Sequence, residues 1–303
     1  MAADESPRGF VPLDDRGVLA VGGPDARSLL QGLISNDIER VSPTRSIYAA
    51  LLTPQGKFLF DFFIGQLDDR LLLDTERARL DDLVRRLTMY RLRAKATFED
   101  VSGRFGVAAL LGDGVAAAVG LPDEEGAARP LEGGVVLIEP RHKALGGRAI
   151  LPAASRTAAL EGLGLAELDR EAYDRRRIEL GLPDGSRDMR IEKAILLENG
   201  FEELHGVDFA KGCFVGQELT ARTKYRGLIR KRLMPVVLRG PRPEPDAIIR
   251  LGEREAGEMR SSVDGWGLAL LRLEQVERAR AEGTPLKVGE TEVVPVRPDW
   301  ALF

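Results

Sequence analysis

The 303-residue chain contains one cysteine, two histidines, and eight lysines against 36 arginines. One cysteine excludes an internal disulfide, and histidines at positions 142 and 205 alone leave no Cys/His cluster with zinc or iron–sulfur spacing, so no resident metal is expected. Such sparing use of cysteine suits a reducing compartment. Neither GxGxxG nor GxxxxGKS occurs, which argues against a dinucleotide or P-loop site. The longest apolar run, VAALLGDGVAAAVGL, is interrupted by Asp113 and falls short of the roughly 20 residues that cross a bilayer, so no membrane association is expected. The N-terminus, MAADESPRGFVPLDDRG, lacks both the apolar run of a signal peptide and the Arg-rich, acid-poor character of a transit peptide; the expected location is cytoplasmic. The shortage of lysine beside arginine fits a GC-rich genome as well as phosphate recognition, and a net charge of −4 argues against a dedicated nucleic-acid binder.

What is present is the composition of a folded protein, 44% hydrophobic and 30% charged, in a chain long enough for two or three cooperating subdomains. SIYAALL, FLFDFFIG and LLLDT, divided by TPQGK and LDDR, read as three antiparallel strands. ERARLDDLVRRLTMY sets Leu80, Leu83, Val84 and Leu87 on one stripe and predicts a helix. RLRAKATFED alternates, with Leu92, Ala94, Ala96 and Phe98 on one side, and predicts a half-buried strand. RFGVAALLG, GGVVLIEP and GRAILP supply further strands; ASRTAALEGLG and ELDREAYDRRRIELG supply helices. Neighbouring strand pairs with helices on one face make the class α+β, not a doubly wound parallel sheet. Beyond Arg232 short strands with glycine-rich turns and little helix predict an antiparallel barrel of about 70 residues, dividing the chain into 1–232 and 233–303.

The single cysteine lies in KGCFVGQELTARTKYRG, residues 211–227. Glycines at 212 and 216 permit a tight turn, and the helix formers after Gly216 predict a helix whose N-terminus, with Lys211, favours a thiolate at Cys213. Gln217 and Glu218 offer an amide and a carboxylate suited to a ring edge bearing donors and acceptors. On the residues alone an equally open reading is a buried small hydrophobe beside a turn, because free cysteine is among the most buried residue types. Asn36 and Asp37, a polar break after LLQGLI, suit either a ligand or a cap. Arg222, Lys224, Arg226, Arg230, Lys231 and Arg232 with Tyr225 suit a solvated basic strand, a dock for an anionic tail, or an RNA contact.

KGCFVGQE closely resembles the KGCYxGQE signature of the YgfZ family, folate-binding proteins related to the aminomethyltransferase (T-protein) of the glycine cleavage system and to mitochondrial iron–sulfur assembly proteins. RGVLAVGGPDARSLLQGLISNDI, ALLTPQGKFLFD, YRLRAKA, RRRIELGLP, GWGLALLRLE and a C-terminal PDW resemble further family blocks in family order; Phe214 stands where the family usually has Tyr. The resemblance implies two α+β subdomains plus a C-terminal antiparallel β-barrel arranged as a ring, with tetrahydrofolate in its cavity. It implies a monomeric accessory factor for assembly or repair of iron–sulfur clusters in client enzymes, including tRNA-modifying ones, with scaffold or client proteins as partners and a weak tRNA contact through 222–232. Cys213 is then the functional thiol, and Asn36, Asp37, Arg177, Glu179, Lys211, Gln217 and Glu218 are ligand-binding positions. Arg177 and Glu179 lie two apart on a helix, so at most one reaches a ligand. Since clusters want about four ligands, one thiol has a transient role as ligand, redox group or nucleophile. Aminomethyl transfer is the enzymatic alternative, although Phe60 precedes Asp61 where the transferase has paired acids; an RNA-binding module is the other.

Overall fold

IYAALL is buried at every position and FLFDFFIG is buried throughout, which is the signature of strands covered on both faces. They are β3 (Ile47–Leu52) and β4 (Phe58–Leu67) of a five-stranded sheet in the computed structural model, which describes residues 8–225, 227 and 229–302. The other members are β2 (Arg16–Gly22), β5 (Arg70–Glu76) and β6 (Thr97–Asp100), in the order β3-β4-β5-β2-β6. Helices α1 (Ala26–Leu33) and α2 (Leu80–Arg91) pack Leu30, Leu33, Leu83 and Leu87 into the core that holds Leu19, Val21, Phe60 and Ile64. A second sheet runs β11-β1-β7-β10-β9-β8, formed by β1 (Gly9–Pro12), β7 (Phe105–Leu111), β8 (Ala128–Leu131), β9 (Gly134–Ile138), β10 (Gly147–Pro152) and β11 (Ala166–Glu167). Helices α3 (Val115–Ala118) and α4 (Arg156–Glu161) contribute Val115 and Leu160 to its core. Both sheets belong to one compact unit: the residues through Leu52, Leu59–Tyr173 and His205–Val215.

The second unit comprises Thr53–Phe58, Asp174–Leu204 and the chain from Gly216 onward. Helix α5 (Arg170–Glu179) runs into it, and α6 (Gln217–Tyr225) begins just after its return. Its centre is a closed barrel, β12-β15-β14-β13-β16-β17, of β12 (Lys231–Arg239), β13 (Ile248–Leu251), β14 (Arg254–Val263), β15 (Trp266–Arg272), β16 (Leu286–Val288) and β17 (Thr291–Pro295). Met234, Val236, Ile249, Met259, Leu271 and Val293 fill it, and closure leaves no exposed sheet edge. Compactness groups 53–58 and 174–204 with the barrel, so the division by contact does not follow a single cut near residue 232.

Two local expectations are corrected. RLRAKATFED is not one strand: α2 continues to Arg91, Leu92 turns at φ +45°, and only Thr97–Asp100 pairs in the sheet. The alternation holds from Ala96 onward, with Leu92 exposed. The barrel segment also contains a helix, α7 (Leu273–Glu282), whose Leu273, Val276 and Ala279 pack on the barrel; these three positions, set among six charged or polar residues, make too narrow a stripe to read.

Candidate functional site

Helix α1 ends where Ile34 turns extended, leaving its last carbonyls in need of donors. The segment bearing Cys213 supplies them: Lys211 Nζ donates to Gln31 O at 2.6 Å and Ile34 O at 2.7 Å, and Val215 N donates to Gly32 O at 3.2 Å. The same two stretches are joined further along. Asp208 N donates to Ser35 O at 3.0 Å, Ser35 Oγ to Gly206 O at 2.6 Å, and Asn36 Nδ2 to His205 O at 2.7 Å and to Tyr48 O at 2.8 Å. Asp37 accepts from Gln31 Nε2 at 2.8 Å and caps the short turn at Glu39 N. Asn36, Asp37 and Lys211 therefore come together as the frame of the Cys213 segment.

Cys213 is exposed between fixed neighbours: Phe214 is buried with the Lys211 ammonium 5.2 Å from its ring centre, and Val215 packs on the α1/α2 core. A phenyl ring serves this cation contact without a hydroxyl. Burial lowers the Lys211 ammonium to about 8, although Asp37 and Asp208 oppose the shift. Helix α6 starts at Gln217, four residues after Cys213, so the thiol is not in its first turn.

The same unit holds a cavity of about 430 Å³, whose lining includes Asn36, Arg45, Tyr48, Glu125, Lys143 and His205. Lys143 pairs with Asp123 at 2.8 Å, His205 lies 3.3 Å from Glu125, and Arg45 makes no ion pair among the described residues. Tyr48 stands at the wall and donates its hydroxyl to Asp61 Oδ2 at 2.7 Å; burial, then the Asp61 charge, raises the phenol well above its ordinary value. Behind it Arg141 lies 5.2 Å over the Tyr48 ring and pairs with Glu139 at 2.7 Å, while Arg16 and Arg148 each reach Asp74 at 2.7 Å. These buried ion pairs were missed in the sequence, where the available signal was a charged residue adjoining an apolar run within a strand: Arg16 in RGVLAVG, Asp74 in RLLLDTE, Arg148 in GRAILP. Phe60, which precedes Asp61, is core with Arg79 over its ring.

The remaining expected ligand residues lie in the second unit. Arg177 is fully buried and corrects its assignment: it pairs with Asp174 and Asp188 at 2.7 Å each and donates to Ser261 Oγ at 2.9 Å, tying α5 to barrel strand β14. Glu179 pairs with Arg175 at 2.6 Å, Glu218 with Arg222 at 2.9 Å, and Gln217 opens α6 half-buried. In the basic segment Lys224 pairs with Glu202 and Arg232 with Glu203, which neutralises much of the charge offered to RNA; Arg226 lies outside the described residues. Among the described residues no group of three or more His, Cys, Asp and Glu gathers to hold a metal ion, and no helix is long and apolar enough to cross a membrane.

Residues 230–303 match the CAF17 C-terminal beta-barrel domain family. The mouse mitochondrial iron–sulfur cluster assembly factor IBA57 is 34% identical over 95% of this chain and 84% of its own length. The human protein is 33% identical with the same coverage, and the Mycosarcoma maydis homolog is 32% identical over 87% of this chain and 73% of its own. Aminomethyltransferase T of the glycine cleavage system from Bartonella henselae superposes with a TM-score of 0.76 over 97% of this chain and 86% of that one, at 17% identity. That likeness bears on the fold: the aminomethyltransferase-like α+β architecture with a C-terminal antiparallel barrel is observed. The named relatives are IBA57 proteins and not the YgfZ branch. They are also mitochondrial by name, which overturns the expectation of a cytoplasmic protein.

Proposed function

The chain belongs to the family of the iron–sulfur cluster assembly factor IBA57, and from that premise we propose that it is an accessory factor for assembly or repair of iron–sulfur clusters, with Cys213 as its working thiol. The observation that carries the reading is the exposure of the chain's one cysteine on a segment held by Lys211, Phe214 and Val215. The cluster is cargo. One thiolate supplies one of about four ligands, so the others come from a scaffold or client protein and Cys213 serves transiently. The test is activation of a purified apo-enzyme from a cluster donor: the protein accelerates it, Cys213→Ser does not, and equal acceleration by Cys213→Ser overturns the reading. Clients of this reading include enzymes that modify tRNA, whose modified nucleosides decline in cells that carry only Cys213→Ser.

Tetrahydrofolate is the ligand this reading assigns to the cavity of the first unit. The donor set fits it in part. Arg45, which makes no ion pair among the described residues, offers a guanidinium for a glutamate tail, while the Tyr48 hydroxyl is buried against Asp61 and both amide hydrogens of Asn36 are already given to Tyr48 O and His205 O. Titration calorimetry decides it: heat with tetrahydrofolate, lost in Arg45→Glu, is expected, and its absence at about 1 mM ligand removes the ligand but not the assembly role.

A further inference from the structure

Seven large apolar side chains are exposed among the described residues, and three of them, Met89, Tyr90 and Leu92, fall within four positions at the end of α2. Met89 is 70% and Leu92 87% exposed. Isolated exposed apolar residues are ordinary, but a cluster on a fixed backbone marks a contact surface. This backbone is fixed. Leu92 holds φ +45° and ψ −104°, Ala94 N donates to Arg91 O at 2.7 Å, and the next turn is clamped at Lys95, whose N donates to Asp25 Oδ2 at 2.7 Å and whose O accepts from Asp25 N at 3.3 Å. Gly23, at φ +98°, permits the approach, since a Cβ there would sit 2.3 Å from Lys95 O. A large residue with positive φ is strained, and the strain is spent on presenting a leucine to solvent.

Positive charge surrounds the apolar tip. Arg91, Arg93 and Lys95 alternate through the turn; the Arg93 and Lys95 side chains make no ion pair or hydrogen bond among the described residues, whereas Arg85 and Arg86 are both taken by Asp82. The patch is cationic on a chain whose net charge is −4. We propose that Met89, Tyr90 and Leu92 with Arg91, Arg93 and Lys95 form a docking surface for an acidic iron–sulfur protein, the client or scaffold of the proposed function, on which this inference rests. Charge complementarity favours a carboxylate-bearing partner, and a desolvated Leu/Met centre ringed by cations matches the anatomy of a protein interface. A nucleic-acid backbone would use the cations and leave the leucine idle.

The experiment measures affinity for a purified, acidic [2Fe–2S] ferredoxin in its apo form, at salt raised from about 50 to about 200 mM. Binding by the wild type that weakens with salt is expected, falling by about tenfold or more in Leu92→Ser and in the pair Arg93→Glu with Lys95→Glu. The charge-reversed pair lies outside the core, so it answers the question even if Leu92→Ser folds poorly. Cys213→Ser binds normally. No wild-type binding, unchanged affinity in the charge-reversed pair, or transfer of its effect to phosphatidylserine vesicles or tRNA overturns the proposal. Client activation that is lost in Cys213→Ser yet untouched by the patch variants removes the docking surface and leaves the assembly role standing.

Discussion

Lys211 Nζ lies 2.6 Å from the carbonyl oxygen of Gln31, closing the carbonyl end of helix α1 from 180 positions away. A helix usually finds such donors in its own next turn; here the donor comes with the segment that carries Cys213, so capping the helix and placing the thiol are one event.

Lys211→Met therefore leaves the Gln31 and Ile34 carbonyls without this donor and is expected to cost about 1–3 kcal/mol in urea denaturation. Its pH dependence has a definite sign. The folded-state ammonium titrates near 8 against 10.5 ordinarily, so between these values the unfolded chain binds more protons and stability attributable to Lys211 rises with pH. The stability difference between wild type and Lys211→Met, measured from pH 8 to 10.5, should move in favour of the wild type; a flat or falling difference contradicts the shift.

Asn36→Asp is expected to be worse than Asn36→Ala. The amide gives both hydrogens to main-chain carbonyls, at Tyr48 and His205, and a carboxylate would set a charge against those oxygens in a buried place. Loss of about 1–3 kcal/mol for Ala and more for Asp, read by chemical denaturation, is the outcome. A variant of normal stability that had lost only ligand binding would return Asn36 to the role of ligand residue.

Cys213→Ser should leave the melting temperature nearly unchanged, because the side chain is exposed and buries no new hydroxyl. In the native wild type one thiol per chain should react promptly with a thiol reagent. Slow labelling that speeds up only on unfolding would mean that the segment covers the sulfur.

Arg177→Leu removes a fully buried cation from Asp174, Asp188 and Ser261; Asp174 keeps Arg187, while buried Asp188 loses the cation it pairs with. The expected loss is about 3–5 kcal/mol. A titration showing native stability with weakened tetrahydrofolate binding would instead support a ligand role.

Much of the fold was legible because it is local. Short apolar runs and turn signals marked the strands of residues 46–75, the stripe of Leu80, Leu83, Val84 and Leu87 marked α2, and short glycine-punctuated strands after Arg232 marked the barrel, since each depends on neighbours within a few positions. The KGCFVGQE motif likewise marked Cys213 within one octapeptide. What the sequence alone could not determine was which polar residue meets which. Arg177 reads as a ligand-binding arginine until Ser261, 84 positions on, is found beside it, and Asn36 reads as a ligand residue until His205 arrives as its acceptor. Leu92 reads as core because alternation says so, and is turned outward by Asp25, 70 positions away from its partner Lys95. Periodicity is a property of the chain, whereas the pairing of buried charges and the capping of α1 by Lys211 depend on contacts that exist only once distant segments are packed together.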